Sequence, residues 1–322
     1  MRNFLKIAIG LAALTGAALQ AGASTAGDLE LTITAPAGAG GGWDSAARSL
    51  QEVMMATGEA RSVQVVNVPG AGGTVGLAQF VGSAQGSSDQ LLVAGITLVG
   101  ASISNASPVD LTQVTPIARL TGDPLVIVVP KDSPIKSIEE LLAAVKKDVA
   151  TTIWVGGSAG GADHILAALV TKAAGADPSK INYVAYSGGG EALAAMLGGQ
   201  ATAGVSGYGE WEGQIKSGDL RALAISYPEP IDGIEAKPLK VQGLDIELVN
   251  WRGIFAGPNV EGKDLEALKA AVDNTVKSQQ WKDLIKARGW SDYYAPADEF
   301  KGFIASETDR VRTILTSIGL AK

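Results

Sequence analysis

The chain has 322 residues, 46% of them hydrophobic and 18% charged, with 26 Lys and Arg against 33 Asp and Glu. That length suffices for two domains at roughly 100–200 residues each. A net charge of −7 argues against nucleic acid or an anionic membrane as partner, and the lack of cysteine excludes disulfides, thiolate chemistry and a Cys-based metal site.

Residues 1–23 read as a cleaved secretory signal. Arg2 and Lys6 give a basic start, Ile7–Leu19 is apolar, and Ala21-Gly22-Ala23 is a small-residue cleavage site. The apolar run is too short for the roughly 20 residues of a membrane span, and no later segment is long and apolar enough to span. The mature protein is therefore expected in the periplasm, with a net charge of −9 once Arg2 and Lys6 are lost. Leu29–Ala35 alternates apolar and polar residues as a strand does. The stretch Pro36–Arg48, PAGAGGGWDSAAR, follows it. Trp43, Ala46, Ala47, Leu50 and Met54 then recur at helical spacing, so Gly38–Gly42 forms a strand-to-helix turn. Asp44 is placed to cap that helix or sit in its first turn. Glycines permit positive φ and close approach of a ligand, and the free N–H groups of a helix start favour an anion. The alternative is a tight turn whose amides meet only water.

Val63–Val68 reads as the next strand, followed by Pro69-Gly70-Ala71-Gly72-Gly73 and a helix from Thr74, with Val75, Ala78 and Val81 on one side. Leu91–Ile96 is a further strand. Strand–helix–strand–helix–strand is the α/β pattern of a mainly parallel sheet. Pro108–Leu120 reads as a connection, and Leu125–Val129, closed by Pro130, starts a second lobe. Ser137 and Glu140 resemble a capping box opening the helix Ile138–Lys147. The strand Thr151–Val155 runs into Gly156-Gly157-Ser158-Ala159-Gly160-Gly161 and a helix from Ala162 to about Ala174. Ile181–Tyr186 is a strand, followed by Ser187-Gly188-Gly189-Gly190 and the helix Glu191–Leu197; Ala201–Ser206 is another strand. Gly38 and Gly70 are 32 residues apart, as are Gly157 and Gly189, an interval that fits one strand–helix unit. The two halves thus predict two lobes of like architecture with Gly-rich turns at the carboxyl ends of strands, where open α/β sheets bind ligands. Two such edges facing each other make a cleft. Leu220–Ile225 is a strand, Tyr227–Pro238 a loop, and Val249–Ala256 an extended segment that crosses back to the first lobe. The remainder reads as helical. Leu265, Leu268 and Val272 form one apolar stripe and Phe300, Ile304, Val311, Leu315 and Ile318 another, both as core packing.

Gly156-Gly157-Ser158-Ala159-Gly160 fits the G-x-S-x-G elbow of serine hydrolases. A triad needs a histidine reaching the serine from another loop, and the chain's one histidine, His164, is six residues on in the same turn and helix. That disfavours a Ser-His-acid hydrolase, leaving a secreted hydrolase using Ser158 without a triad as the enzyme alternative. One histidine and no cysteine disfavour zinc. G-x-x-x-x-G-K-[ST] is absent, and Trp43 and Val75 interrupt both candidate G-x-G-x-x-G runs, so nucleotide binding loses its usual fingerprint.

The motifs Gly41-Gly42-Trp43-Asp44, Asn67-Val68-Pro69-Gly70-Ala71-Gly72-Gly73, Gly157-Ser158-Ala159-Gly160-Gly161-Ala162-Asp163-His164, Tyr186-Ser187-Gly188-Gly189, Leu197-Gly198-Gly199-Gln200 and Trp251-Arg252-Gly253-Ile254-Phe255-Ala256 occur together and in this order. In them the chain resembles the extracytoplasmic solute receptors of tripartite tricarboxylate transporters, the TctC or Bug family. The resemblance implies an α/β, two-lobed type II periplasmic binding protein fold that closes on its ligand. It also implies a ligand carboxylate pinched between a turn from each lobe, and delivery to a small and a large membrane subunit. Ala37, Val68 and Ser187 stand where many members carry an aromatic, an arginine and a lysine. The Gly-Gly-Trp-Asp form and Tyr186-Ser187-Gly-Gly-Gly look most like the tricarboxylate-type receptors, so a citrate-like di- or tricarboxylate is the expected ligand. A sensor presenting its ligand to a signalling receptor is a further alternative. The expected lobes are residues 24–121 plus 255–322 and residues 122–254. The candidate ligand-binding residues are Gly40, Gly41, Gly42, Trp43, Asp44, Arg48, Ser158, Ala159, Gly160, Gly161, Ser187, Gly188 and Ser206. Arg48, four residues after Asp44, either pairs with it on the surface or reaches the ligand. No catalytic residue, cofactor or metal is expected, and the receptor is expected to be a monomer.

Overall fold

The computed structural model describes residues 26–321, so the expected signal peptide, residues 1–23, lies outside the described residues. In β1 (Glu30–Ala35), Leu31, Ile33 and Ala35 are buried while the residues between them stay partly exposed, the period-two pattern of a half-covered strand. The chain then alternates α1 (Gly42–Thr57), β2 (Ser62–Asn67), α2 (Thr74–Ser83), β3 (Gln90–Gly95) and α3 (Ile96–Ser104). The second half repeats this with α4 (Ile138–Lys147), β5 (Ile153–Gly156), α5 (Ala162–Ala173), β6 (Asn182–Ala185), α6 (Gly189–Leu197), β7 (Ala203–Gly207), α7 (Tyr208–Lys216) and β8 (Leu220–Ser226). Between the halves runs β4 (Thr115–Pro130), and β9 (Val249–Ala256) returns to the first. The C-terminal part adds α8 (Gly262–Lys277), α9 (Gln279–Ala287), β10 (Ser291–Pro296) and α10 (Ala297–Ser317).

The strand order is β2-β1-β3-β9-β4-β7-β5-β6, with β8 and β10 also paired to β4. The strands built from the strand–helix repeat are parallel: β1 with β2 and β3, and β5 with β6 and β7. The expectation of mainly parallel sheets needs correction beyond that core. β9 joins β3 and β4 antiparallel, and β4 joins β7, β8 and β10 antiparallel. Relative to the repeat strands, β9 and β10 run in the opposite sense in the first sheet and β4 does so in the second.

β4 is what makes two sheets into one molecule. Its residues 115–124 pair with β9 and its residues 125–130 pair with β7 and β8. The stretch Pro108–Leu120, read as a connection, is therefore strand from Thr115 onward; its burial does not alternate, with the neighbours Ile117 and Ala118 both buried, and its register with β9 shifts after Pro116 and after Arg119. The expected second boundary, between residues 254 and 255, falls inside β9, whose pairing with β4 begins at Val249. Residues 291–296, read as helical, form β10 against β4. α3 and α7 follow β3 and β7 with no intervening loop, which removes the turn punctuation that marks a helix start. The Ser137 hydroxyl accepts from the Glu140 N–H at 3.3 Å, and the Glu140 carboxylate accepts from the Lys136 N–H at 2.6 Å, one residue before the N-cap. Leu268, Val272, Phe300, Ile304, Val311, Leu315 and Ile318 are all buried, as core stripes should be.

Candidate ligand-binding cleft

The loops after β1, β2 and β3 face those after β5, β6 and β7 across a cleft of about 720 Å³. On the first wall α1 starts directly behind the glycine turn. Its N-cap is Gly41, and no side chain caps it. The N–H groups of Gly42 and Trp43 make no hydrogen bond to the described residues, and both residues line the cleft. Asp44 sits in the first helical turn and reaches backwards. Its Oδ2 accepts from the Gly40 N–H at 2.8 Å, its Oδ1 from Asn67 Nδ2 at 2.9 Å, and both oxygens from Arg48 Nε at 3.0 Å. Burial alone would raise the Asp44 pKa, but the bonds from Arg48, Gly40 and Asn67 outweigh it and hold the carboxyl below its ordinary value. Asp44 is thus a clip that fastens the glycine turn to the end of β2.

On the second wall β5 ends at Gly156 and α5 begins at Ala162. The Gly157 N–H donates to Asp163 Oδ2 at 2.7 Å, and the Gly160 N–H donates to His164 Nδ1 at 3.1 Å. His164 stacks on Tyr183 with ring centroids 4.1 Å apart, and the Tyr183 hydroxyl donates to the Gly157 carbonyl at 2.8 Å. Burial pushes the His164 pKa down to about 4. The imidazole is a neutral strut for the turn and makes no hydrogen bond to Ser158. Gly160 has φ +74°, a left-handed conformation that glycine adopts without strain. The Ser158 hydroxyl and the N–H groups of Ser158 and Ala159 make no hydrogen bond to the described residues. Across the cleft the Thr97 hydroxyl on α3 accepts from the Ala162 N–H at 3.2 Å, and a Cβ at Gly100 would overlap the Gly160 carbonyl oxygen. The turn of one half therefore rests on a helix of the other.

The inner end of the cleft is charged. Arg252 on β9 donates to Asp123 on β4 (Nη2 to Oδ2, 2.6 Å), and neither side chain is more than 2% exposed. A Cβ at Gly42 would lie 2.5 Å from Arg252 Nη2, so a bare backbone at α1 is what admits the guanidinium. Glu210 on α7 accepts from the Ser206 hydroxyl at 3.0 Å. Burial pushes Asp163 up to about 7 and Asp123 up to about 6, and it raises Glu210; Arg252 offsets part of each shift.

Of the residues expected at the site, Gly41, Gly42, Trp43, Ser158, Ala159, Gly161, Ser187, Gly188 and Ser206 line the cleft. Gly40, Asp44, Arg48 and Gly160 do not line it; Gly40, Asp44 and Gly160 belong to the turns or hold them from behind. Arg48 pairs with Asp44 and is 48% exposed, so the surface-pair alternative is the one the structure contains. The Ser187 N–H is taken by Glu191 Oε2 at 3.0 Å. Asp123, Asp163, Glu210 and Arg252 were absent from the expected set. Arg252 is the single charge in its strand and Glu210 follows Ser206 by four residues, but only the folding of β4 and β9 between the sheets brings them together.

The family described as the tripartite tricarboxylate transporter family receptor matches residues 46–320. This chain belongs to that receptor family. Among its relatives is protein BugT of Bordetella pertussis, 27% identical over 312 residues, 95% of this chain and 94% of that one. A TctC solute binding protein from Polaromonas is 26% identical, covering 89% of this chain and 98% of that one, with a TM-score of 0.67. MatC from Rhodopseudomonas palustris, solved with bound malate, is 21% identical over 89% of this chain and 98% of its own, with a TM-score of 0.80. The fold is the α/β periplasmic binding protein fold. As a member of the TctC receptor family the chain is a solute-binding protein and not an enzyme, which agrees with the strut role of His164. Among the described residues no helix is long and apolar enough to cross a membrane.

Proposed function

We propose that this receptor captures a citrate-like di- or tricarboxylate in the cleft, outside the cytoplasm, and delivers it to the small and large membrane subunits of a tripartite transporter. One observation carries the reading. Gly42 and Trp43 from one half, and Ser158 and Ala159 from the other, line a single cleft, and their N–H groups make no hydrogen bond to the described residues. Helix starts and free amides favour anions, and a planar carboxylate can accept from both walls at once. The malate held by MatC supports the same ligand class. The two halves act as lobes that close about the strands linking them, β4 and β9. Gly40, Asp44 and Gly160 serve this function indirectly, by fixing the turns that present the amides.

A thermal-shift screen of the mature protein against citrate, malate and adipate tests the reading. A ligand at about 100 times its Kd stabilises by roughly 2.7 kcal/mol. No shift with any of these acids, alongside a shift with an uncharged solute, would contradict it.

A further inference from the structure

The proposed ligand is an anion, yet the cleft's own ionisable side chains are mostly acidic. Asp163 and Glu210 line the cleft, Asp123 lies behind them, and Arg252 is the one cation among these four groups. Asp123 already engages Arg252. That leaves Asp163 on α5 and Glu210 on α7 without a cation of their own. Glu210 Oε2 accepts from Ser206, and its Oε1 lies 3.1 Å from where a Cβ on Gly42 would stand, facing the first wall. Asp163 Oδ2 accepts from Gly157. A second observation makes this more than a cluster of acids. Arg252 Nη1 and Asp123 Oδ1, on side chains at most 2% exposed, have no hydrogen-bond partner, and Arg252 lines the cleft. The inner end is thus an unfinished hydrogen-bond network, with an unpartnered donor group at Arg252 Nη1 that a ligand oxygen would satisfy and an unpartnered acceptor at Asp123 Oδ1.

Two ionised carboxylates beside a bound polyanion repel it strongly in a poorly hydrated cleft. A protonated carboxyl instead donates a short, charge-assisted bond to a carboxylate oxygen. We propose that Asp163 and Glu210 form a protonated subsite that donates to the ligand carboxylate remote from the Gly42 and Ser158 turns, with Arg252 Nη1 as the third donor. The receptor then takes up its ligand together with a proton. This rests on the carboxylate reading above and names its specificity-determining residues. Burial already biases both carboxyls toward the protonated form. The charged groups that face them are Asp123 from β4 and Arg252 from β9, and the Tyr183 hydroxyl from β6 lies beside Asp163. The two acids titrate as a coupled pair, so the uptake belongs to the pair rather than to one residue.

Calorimetric titration of the mature protein with malate, adipate and citrate at about pH 6.5 and about pH 8.5, in buffers of different ionisation heat, tests the proposal. With the acids' own ionisation subtracted, the binding heat should depend on the buffer, reporting proton uptake. The Kd should rise with pH, by up to about tenfold per unit for one proton. Glu210→Gln, which is neutral and still donates, should bind more tightly than wild type at the higher pH and with a flatter pH profile. Asp163→Asn should flatten the profile in the same way, which guards against a folding defect in either variant alone. Binding with no proton uptake and equal affinity at both pH values would overturn the protonated subsite while leaving the carboxylate reading intact. So would preference for an amino acid such as glutamate without proton uptake, since the acids would then be serving a cation. No binding of any of the three acids at either pH would overturn the carboxylate reading itself.

Discussion

Ser158 carries the most weight of any single side chain in the proposed site. It sits at the apex of the β5–α5 turn and its hydroxyl has no partner among the described residues. Ser158→Ala should weaken carboxylate binding by roughly 1.5–3 kcal/mol, the range for a hydrogen bond to a charged group. The melting temperature of the free protein should stay at the wild-type value, because no protein partner is lost. Calorimetry checks the first and a thermal melt the second; unchanged affinity would mean that the hydroxyl serves only water. Arg48 provides the contrast. It stands outside the cleft, paired with Asp44 at 3.0 Å and half exposed, so Arg48→Ala should leave the melting temperature close to wild type, as loss of a solvent-screened pair does. Its affinity for the same acid should remain within about twofold of wild type. A larger loss of affinity would show that the Asp44 clip needs its arginine to present the Gly42 amide. These two residues also mark what the sequence could reveal. A serine in a glycine-rich run at a strand end announces a turn, and Ser158 lines the cleft. An Asp and an Arg four residues apart announce a pair, but not which way it faces.

At the scale of elements, the glycine turns hold their shape because the chain fastens them from behind. Gly160 is at φ +74° and a Cβ there would come within 2.5 Å of Ser104 Oγ on α3. Gly160→Val should therefore destabilise the free protein by at least about 1–3 kcal/mol of backbone strain, in addition to weakening ligand binding. Chemical denaturation of the ligand-free variant measures the first effect; wild-type stability would contradict the packing of α3 under this turn. Nothing local to Gly156–Gly161 predicts that contact, because α3 belongs to the other half of the chain. The strand–helix repeat, the Gly-rich turns and the helix Ile138–Lys147 were legible because each is written in neighbouring residues: alternation, a glycine run, a capping serine. β10 and the first third of β4 were not. Their pairing partners are more than 100 residues away, and Pro116, Arg119 and Asp292 blur their alternation. The acidic and basic groups of the inner cleft escaped for the same reason, since β4, α7 and β9 converge only in three dimensions.

The whole molecule should respond to pH in a way that reflects its buried groups. Asp163, Asp123 and Glu210 have pKa values raised by burial, to about 7 and about 6 for the first two. A carboxyl whose folded pKa lies above its unfolded value binds its proton more tightly when folded. Its contribution is fully present below the unfolded pKa of 3.8 and is lost as pH rises through the folded value. His164 works in the opposite direction. Its folded pKa is lowered to about 4 from 6.5, so its contribution is present above 6.5 and is lost as pH falls toward 4. The ligand-free protein should therefore gain thermal stability as pH falls from about 8 to about 6, with His164 offsetting only part of the gain below 6.5. Asp163→Asn should blunt the gain; a melting temperature that falls steadily over this interval would contradict the buried-acid arrangement. The proposal for the whole molecule is that a carboxylate is held by backbone amides from both halves at once. A crystal structure of the mature receptor grown with citrate or malate tests it most directly. Carboxylate oxygens should lie within hydrogen-bond distance of the Gly42 or Trp43 N–H on one wall and of the Ser158 hydroxyl or Ala159 N–H on the other. A ligand bound elsewhere, or touching the amides of one wall alone, would contradict it.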